Sequence, residues 1–177
     1  MAMMHKITRL FITALFGSII FVAKVAVPLP TPVNKLMIVV EAVLLATAAL
    51  FIKKVGATYV GTVGGVLTAL WQPTLGIFTF LFDFLYGVFV DVFFFLFKVT
   101  STTSEVNRTR IIAAMTFSTA IIGLLSYYTT SSLLEILPID PVLAGLILFM
   151  GTVSGAVAGY AAAYLWNKYL KNIIVGS

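Results

Sequence analysis

The run LGIFTFLFDFLYGVFVDVFFFLF, Leu75 to Phe97, decides the fold. It is continuously apolar and aromatic, without the short alternating segments of a barrel strand, and it reaches the ~20 residues with which an α-helix crosses ~30 Å of hydrocarbon. The most hydrophilic stretch of the chain, Lys98 to Arg110, follows it at once and must lie in water. Working outward, the same reading finds apolar runs at about 7–26, 36–52 and 55–70 before it, and at 111–130 and 142–166 after it. Prolines at Pro28, Pro30 and Pro32, the pair Lys53-Lys54, Trp71-Gln72-Pro73 and the loop from Ser131 to Pro141 separate the runs. The expected fold class is all-α, one integral bundle of six transmembrane helices over residues 1–177.

Composition leads to the same place. Hydrophobic residues make up 61% of the chain and charged residues 10%, with a mean hydropathy of +1.12. Soluble domains carry roughly a quarter charged residues, so a soluble fold of this size has no means of hiding so much apolar surface. The net charge of +5 reads as a topology signal rather than a nucleic-acid footprint, because the cations fall on one side. With the N-terminus cytoplasmic, Lys6, Arg9, Lys53, Lys54, Lys98, Arg108, Arg110, Lys168 and Lys171 lie inside, nine of the eleven cations. Only Lys24 and Lys35 fall outside, with Glu135 and Asp140. The expectation is N-in, C-in, in a cell membrane. A signal peptide is the competing reading of Lys6 to Ala26, but its apolar run is long for one, and removing it would leave five spans and reverse the charge logic.

The chemistry available is narrow. Cysteine is absent and the single histidine, His5, sits near the N-terminus, which removes disulfides, thiol catalysis and histidine-based dyads or metal sites. No G-x-x-x-x-G-K-S/T cradle for ATP is present. Thr152-Val153-Ser154-Gly155 has no histidine to activate its serine, and Asp83 with Asp91 lacks the other acids of metal-dependent phospholipid synthases. Catalysis, cofactor and metal are not expected.

Ionisable side chains within hydrocarbon cost ~2.5–3.5 kcal/mol each on insertion scales and so face a cavity or a partner. Lys24 reads as an anchor that snorkels to the outer interface, and Glu41 as an outer-face pair with Lys35 or Lys24, or a ligand contact. Asp83 and Asp91, spaced i and i+8 around Gly87, share one side of their helix, and neither is long enough to snorkel. Each is read as ligand-binding, against the alternative of a hydroxyl-bonded or protonated acid in the bundle. Small residues recur at four-residue spacing: Gly151, Gly155 and Gly159 near the C-terminus, Gly61 and Gly65, and Ala14 with Ser18 beside Gly17. These permit close backbone approach, within the bundle by default and toward a partner for Ala14 and Ser18. Trp71, Tyr127 and Tyr128 gather at the outer ends. An interfacial belt accounts for at least one of the tyrosines, and Tyr127 is also a candidate ligand contact.

The order of these features resembles the substrate-binding S component of energy-coupling-factor (ECF) vitamin transporters. The likeness rests on Thr13-Ala14-Leu15-Phe16-Gly17-Ser18 in the first helix and the proline-containing stretch from Pro28 to Lys35. It is closest to the hydroxymethylpyrimidine/thiamine type, through Val60-Gly61-Thr62-Val63-Gly64-Gly65, Gln72-Pro73, Tyr86-Gly87 with Asp91, and Ser154-Gly155-Ala156. Tyr86 stands where those relatives carry Gln or Glu. The resemblance implies a protein that captures a vitamin-sized molecule in its outer half, moved by a larger membrane subunit and two ATPases. A pocket among the fourth, fifth and sixth helices, closed by the Pro28 to Lys35 loop, would offer Asp83 as charge, Tyr86 and Trp71 as stacking surfaces and Gln72 as an amide partner. An aromatic, cationic or amine-bearing ligand suits that set. Two other classes stay open: a self-sufficient proton- or ion-coupled carrier relaying through Asp83 and Asp91, and a structural membrane subunit without a ligand.

Overall fold

The structure, a computed structural model, describes residues 2–25, 31–52, 55–72, 76–99, 105–133 and 138–171. These form six helices, with no strand among the described residues: α1 (Ala2–Val25), α2 (Thr31–Ile52), α3 (Gly56–Trp71), α4 (Gly76–Leu96), α5 (Arg108–Ser132) and α6 (Pro141–Leu165). A π-helical turn, Trp166–Leu170, continues α6. The chain is an all-α bundle. Ile7–Val25, Gly76–Leu96, Arg108–Ser132 and Pro141–Leu170 are long and apolar enough to cross a membrane, whereas the apolar segment of α2, Met37–Ile52, and α3 are shorter.

Helix limits follow local chemistry. The Asn107 side chain accepts from the amides of Thr109 and Arg110, so α5 begins before the apolar run does. Asp140 accepts from Val142 N–H at 2.8 Å, with Pro141 at the first helical position, where its missing N–H matters least. Thr31 to Lys35, expected as part of an extended loop, belong to α2. Pro32 is compatible with a first turn, because amides there have no intrahelical acceptor to lose. Lys53, Lys54, Pro73 and Glu135 lie outside the described residues.

Contacts give the register. Gly87 sits on the Ala57 and Thr58 backbone, and Gly65 on Phe80 and Asp83, so α3 and α4 run antiparallel. Gly151, Gly155 and Gly159 ride on successive turns of α5, also antiparallel, and a Cβ at Gly155 would lie 2.6 Å from the Met115 carbonyl oxygen. These glycines serve packing inside the bundle, where lipid offers no hydrophobic gain and close backbone contact holds helices together. The central element is α2, which touches all five other helices. Its buried Ala42, Ala46, Ala48 and Ala49 allow that crowding. α1 lies at the edge, seated through Gly17 and Ile20 on Val63 and Gly64 of α3.

The C-termini of α1, α3 and α5 and the N-termini of α2, α4 and α6 lie at one end of the bundle, the distal end. At the opposite end Trp166, 1% exposed, packs edge-on to Phe51, and the Asn167 amide clamps both backbone groups of Val106.

Candidate functional site

Lys24 turns inward instead of snorkelling. Gly17 and Lys24 are seven residues apart, and at 100° per residue they share a face of α1 with Ile20 between them. Packing Gly17 and Ile20 on α3 therefore carries Lys24, in the last turn of α1, into the bundle. There its Nζ is 2.9 Å from Glu41 Oε1 of α2 and also hydrogen-bonds Asp83 Oδ1 of α4. The expected partner set for Glu41 narrows to Lys24 among the described side chains; that of Lys35 is outside them.

The cluster is sheltered. Glu41 is 8% and Asp83 5% exposed, while the Lys24 side chain keeps 24%. One ammonium faces two carboxylates, and Asp83 Oδ2 has no hydrogen-bond partner among the described residues. Buried polar atoms in native folds are almost always paired, so this oxygen calls for an explanation. Gly65 gives α4 the room to hold Asp83 here, since a Cβ at that position would stand 3.0 Å from Asp83 Cβ.

One turn along α4 from Asp83, the Tyr86 hydroxyl lies 2.8 Å from Thr119 Oγ1 of α5. Thr119 gives its own proton to the Met115 carbonyl at 2.8 Å, which makes Tyr86 the donor of the pair. Tyr86 is 4% exposed, a wedge between helices rather than a free stacking surface. Thr119 also forms part of the wall of a cavity of about 180 Å³ between α2, α5 and α6. Ile38, Gly123, Leu146, Ile147, Met150, Gly151 and Ser154 complete that wall. The expected pocket among the fourth to sixth helices is thus shifted: α2 closes it, and Tyr86 of α4 stands behind Thr119. Lys24, Glu41 and Asp83 are not part of that wall; Ile38 of the wall is one turn from Glu41 along α2.

The other sequence candidates separate from this site. Asp91 binds the start of α3: Oδ2 accepts from Thr58 N–H at 2.7 Å and Thr58 Oγ1 at 2.6 Å, and Oδ1 from Ala57 N–H at 3.2 Å. Val55, the residue at the N-cap, has no side-chain acceptor, so α4 supplies the cap that α3 lacks. Tyr127 ties α5 to the residues just before α6, its hydroxyl accepting from Asp140 N–H at 2.8 Å and facing the carbonyls of Pro138 and Asp140. Trp71 is 66% exposed with its ring edge against Phe21, and Gln72 is exposed at the end of α3. Neither joins Asp83. Ala14 and Ser18 are exposed on α1, about a quarter-turn or more from the face that holds Gly17. Sequence reading missed Lys24 and Thr119 as site residues; the available signal for Lys24 was its option of pairing with Glu41, and Thr119 carried none.

Compared with protein-family models, curated proteins and solved structures, the chain matches none.

Proposed function

We propose that this chain is a six-span membrane protein, both ends cytoplasmic, that captures a vitamin-sized, amine-bearing molecule in its outer half. In this reading it is the S component of an ECF-type importer and moves its substrate only with a larger membrane subunit and two ATPases. The observation that carries the proposal is the Lys24–Glu41–Asp83 cluster, buried near the distal end. Three charges inside an apolar bundle are a poor way to gain stability, since apolar residues of similar volume serve packing as well or better. Ionisable groups at such depth otherwise mark substrate or ion paths. The cavity between α2, α5 and α6, with Ile38 one turn from Glu41, supports the reading as space for part of a ligand whose charged end meets Asp83.

The exposed Ala14 and Ser18 support the same reading, because small residues facing outward from an edge helix leave a surface on which a partner helix can approach closely. A relay through Asp83 and Asp91 has less support, as both oxygens of Asp91 are engaged at α3. The test has two parts. Purified protein is screened by calorimetry and native mass spectrometry against amine-bearing micronutrients, and the protein is then reconstituted in liposomes with and without an ECF energy module. Binding alone with uptake only when the module and ATP are present is expected. Uptake without the module, or no binding to any such compound, would sink the proposal.

A further inference from the structure

We propose that Glu41 and Asp83 form a seat for a primary ammonium group, which Lys24 fills from within the chain and which the amine end of a substrate takes by displacing it. The inference deepens the capture reading above and rests on it for the identity of the user. The chemistry of the seat is visible in its occupant. Lys24 Nζ is held by N–H donation to two carboxylates on two different helices, at 2.9 Å to Glu41 and within hydrogen-bonding distance of Asp83. A cation without N–H cannot reproduce those bonds, so the seat selects ammonium over quaternary nitrogen.

Two further features make Lys24 an exchangeable occupant. Two carboxyl groups face one ammonium, and Asp83 Oδ2 accepts no bond among the described residues although Asp83 is 5% exposed. The seat therefore has an unused acceptor. Lys24 also lies in the last turn of α1 with 24% of its side chain exposed. Its four-carbon stem can carry the ammonium out to the interface, where snorkelling keeps it solvated. Glu41 and Asp83 lie deeper on shorter side chains and stay. Displacement unties α1 from α2 and α4 at the distal end, on the same helix that exposes Ala14 and Ser18.

The experiment uses n-butylammonium as probe, with tetramethylammonium and sodium at equal ionic strength as controls, and reads resistance of the purified protein to unfolding in detergent. In Lys24→Ala, n-butylammonium is expected to restore most of the lost resistance, while the controls do not. It should act at roughly tenfold lower concentration there than in the wild type, where it competes with a tethered amine present at an effective concentration of ~mM. Asp83→Asn keeps a balanced Lys24–Glu41 pair, and in it stabilisation by n-butylammonium should be lost. If Lys24→Ala does not fold, the contrast between wild type and Asp83→Asn carries the test. Equal protection by tetramethylammonium, protection that survives Asp83→Asn, or none in the wild type and Lys24→Ala, overturns the proposal. Loss of uptake with the ammonium response intact would instead remove the importer reading and leave the seat.

Discussion

Replacing Asp91 with Ala removes a cap that one helix supplies to another. Three bonds end on this carboxylate, two from the first-turn amides of α3 and one from the Thr58 hydroxyl. The hydroxyl can turn to another acceptor, but the amides cannot. Loss of a side-chain cap costs about 0.5–2 kcal/mol, and a buried donor left unpaired about 1–3 kcal/mol. The Ala57 bond is long at 3.2 Å and contributes the smaller share, so Asp91→Ala should lose about 2–4 kcal/mol. Asp91→Asn keeps one oxygen for Thr58 N–H and should lose about half as much. Unfolding by SDS titration in mixed micelles measures both, alongside ligand affinity of the folded fraction. Loss of stability with affinity retained is the expected pattern. If Asp91→Ala unfolds like the wild type, or binds or transports poorly while equally stable, Asp91 is a transport residue and the capping account fails.

Asp83→Asn should weaken binding of an amine-bearing ligand at least about tenfold, the worth of a charge-assisted contact, and titration calorimetry on folded protein showing unchanged affinity would remove Asp83 from the site. Ala14→Leu, at an exposed position, should leave unfolding within about 0.5 kcal/mol of wild type yet reduce recovery with the energy module; equal recovery would return Ala14 to the role of a lipid-facing residue. Gly155→Ala places a Cβ 2.6 Å from the Met115 carbonyl oxygen and should cost about 1–3 kcal/mol by forcing α5 and α6 apart, a change that wild-type-like SDS resistance would contradict. Single cysteines at Arg108 and Ser132, at the two ends of α5, should react with impermeant thiol reagents from opposite faces of intact cells, and labelling of both from one face would exclude the crossing.

The sequence alone determined that this chain is an all-α bundle and roughly where its helices lie. The physical reason is that hydrocarbon offers the backbone no hydrogen-bond partners, so a continuous apolar run such as Leu75 to Phe97 must satisfy its own amides as helix. Limits were less legible where chemistry outside the apolar run sets them, as at Asn107 and at Thr31 to Lys35. What sequence could not decide was azimuth, the direction each helix turns its faces. Lys24 could have pointed to lipid and snorkelled. It points inward because Gly17 and Ile20, on the same face, pack on Val63 and Gly64 of α3. The same packing leaves Ala14 and Ser18 outside. Asp83 and Asp91, alike in sequence, part company for a similar reason: the antiparallel register of α3 on α4 sets Gly65 against Asp83 but the open N-terminus of α3 against Asp91. Only the tertiary contacts decided which acid meets an ammonium and which caps a helix, because a helix fixes spacing along its own axis while its neighbours fix what each face meets.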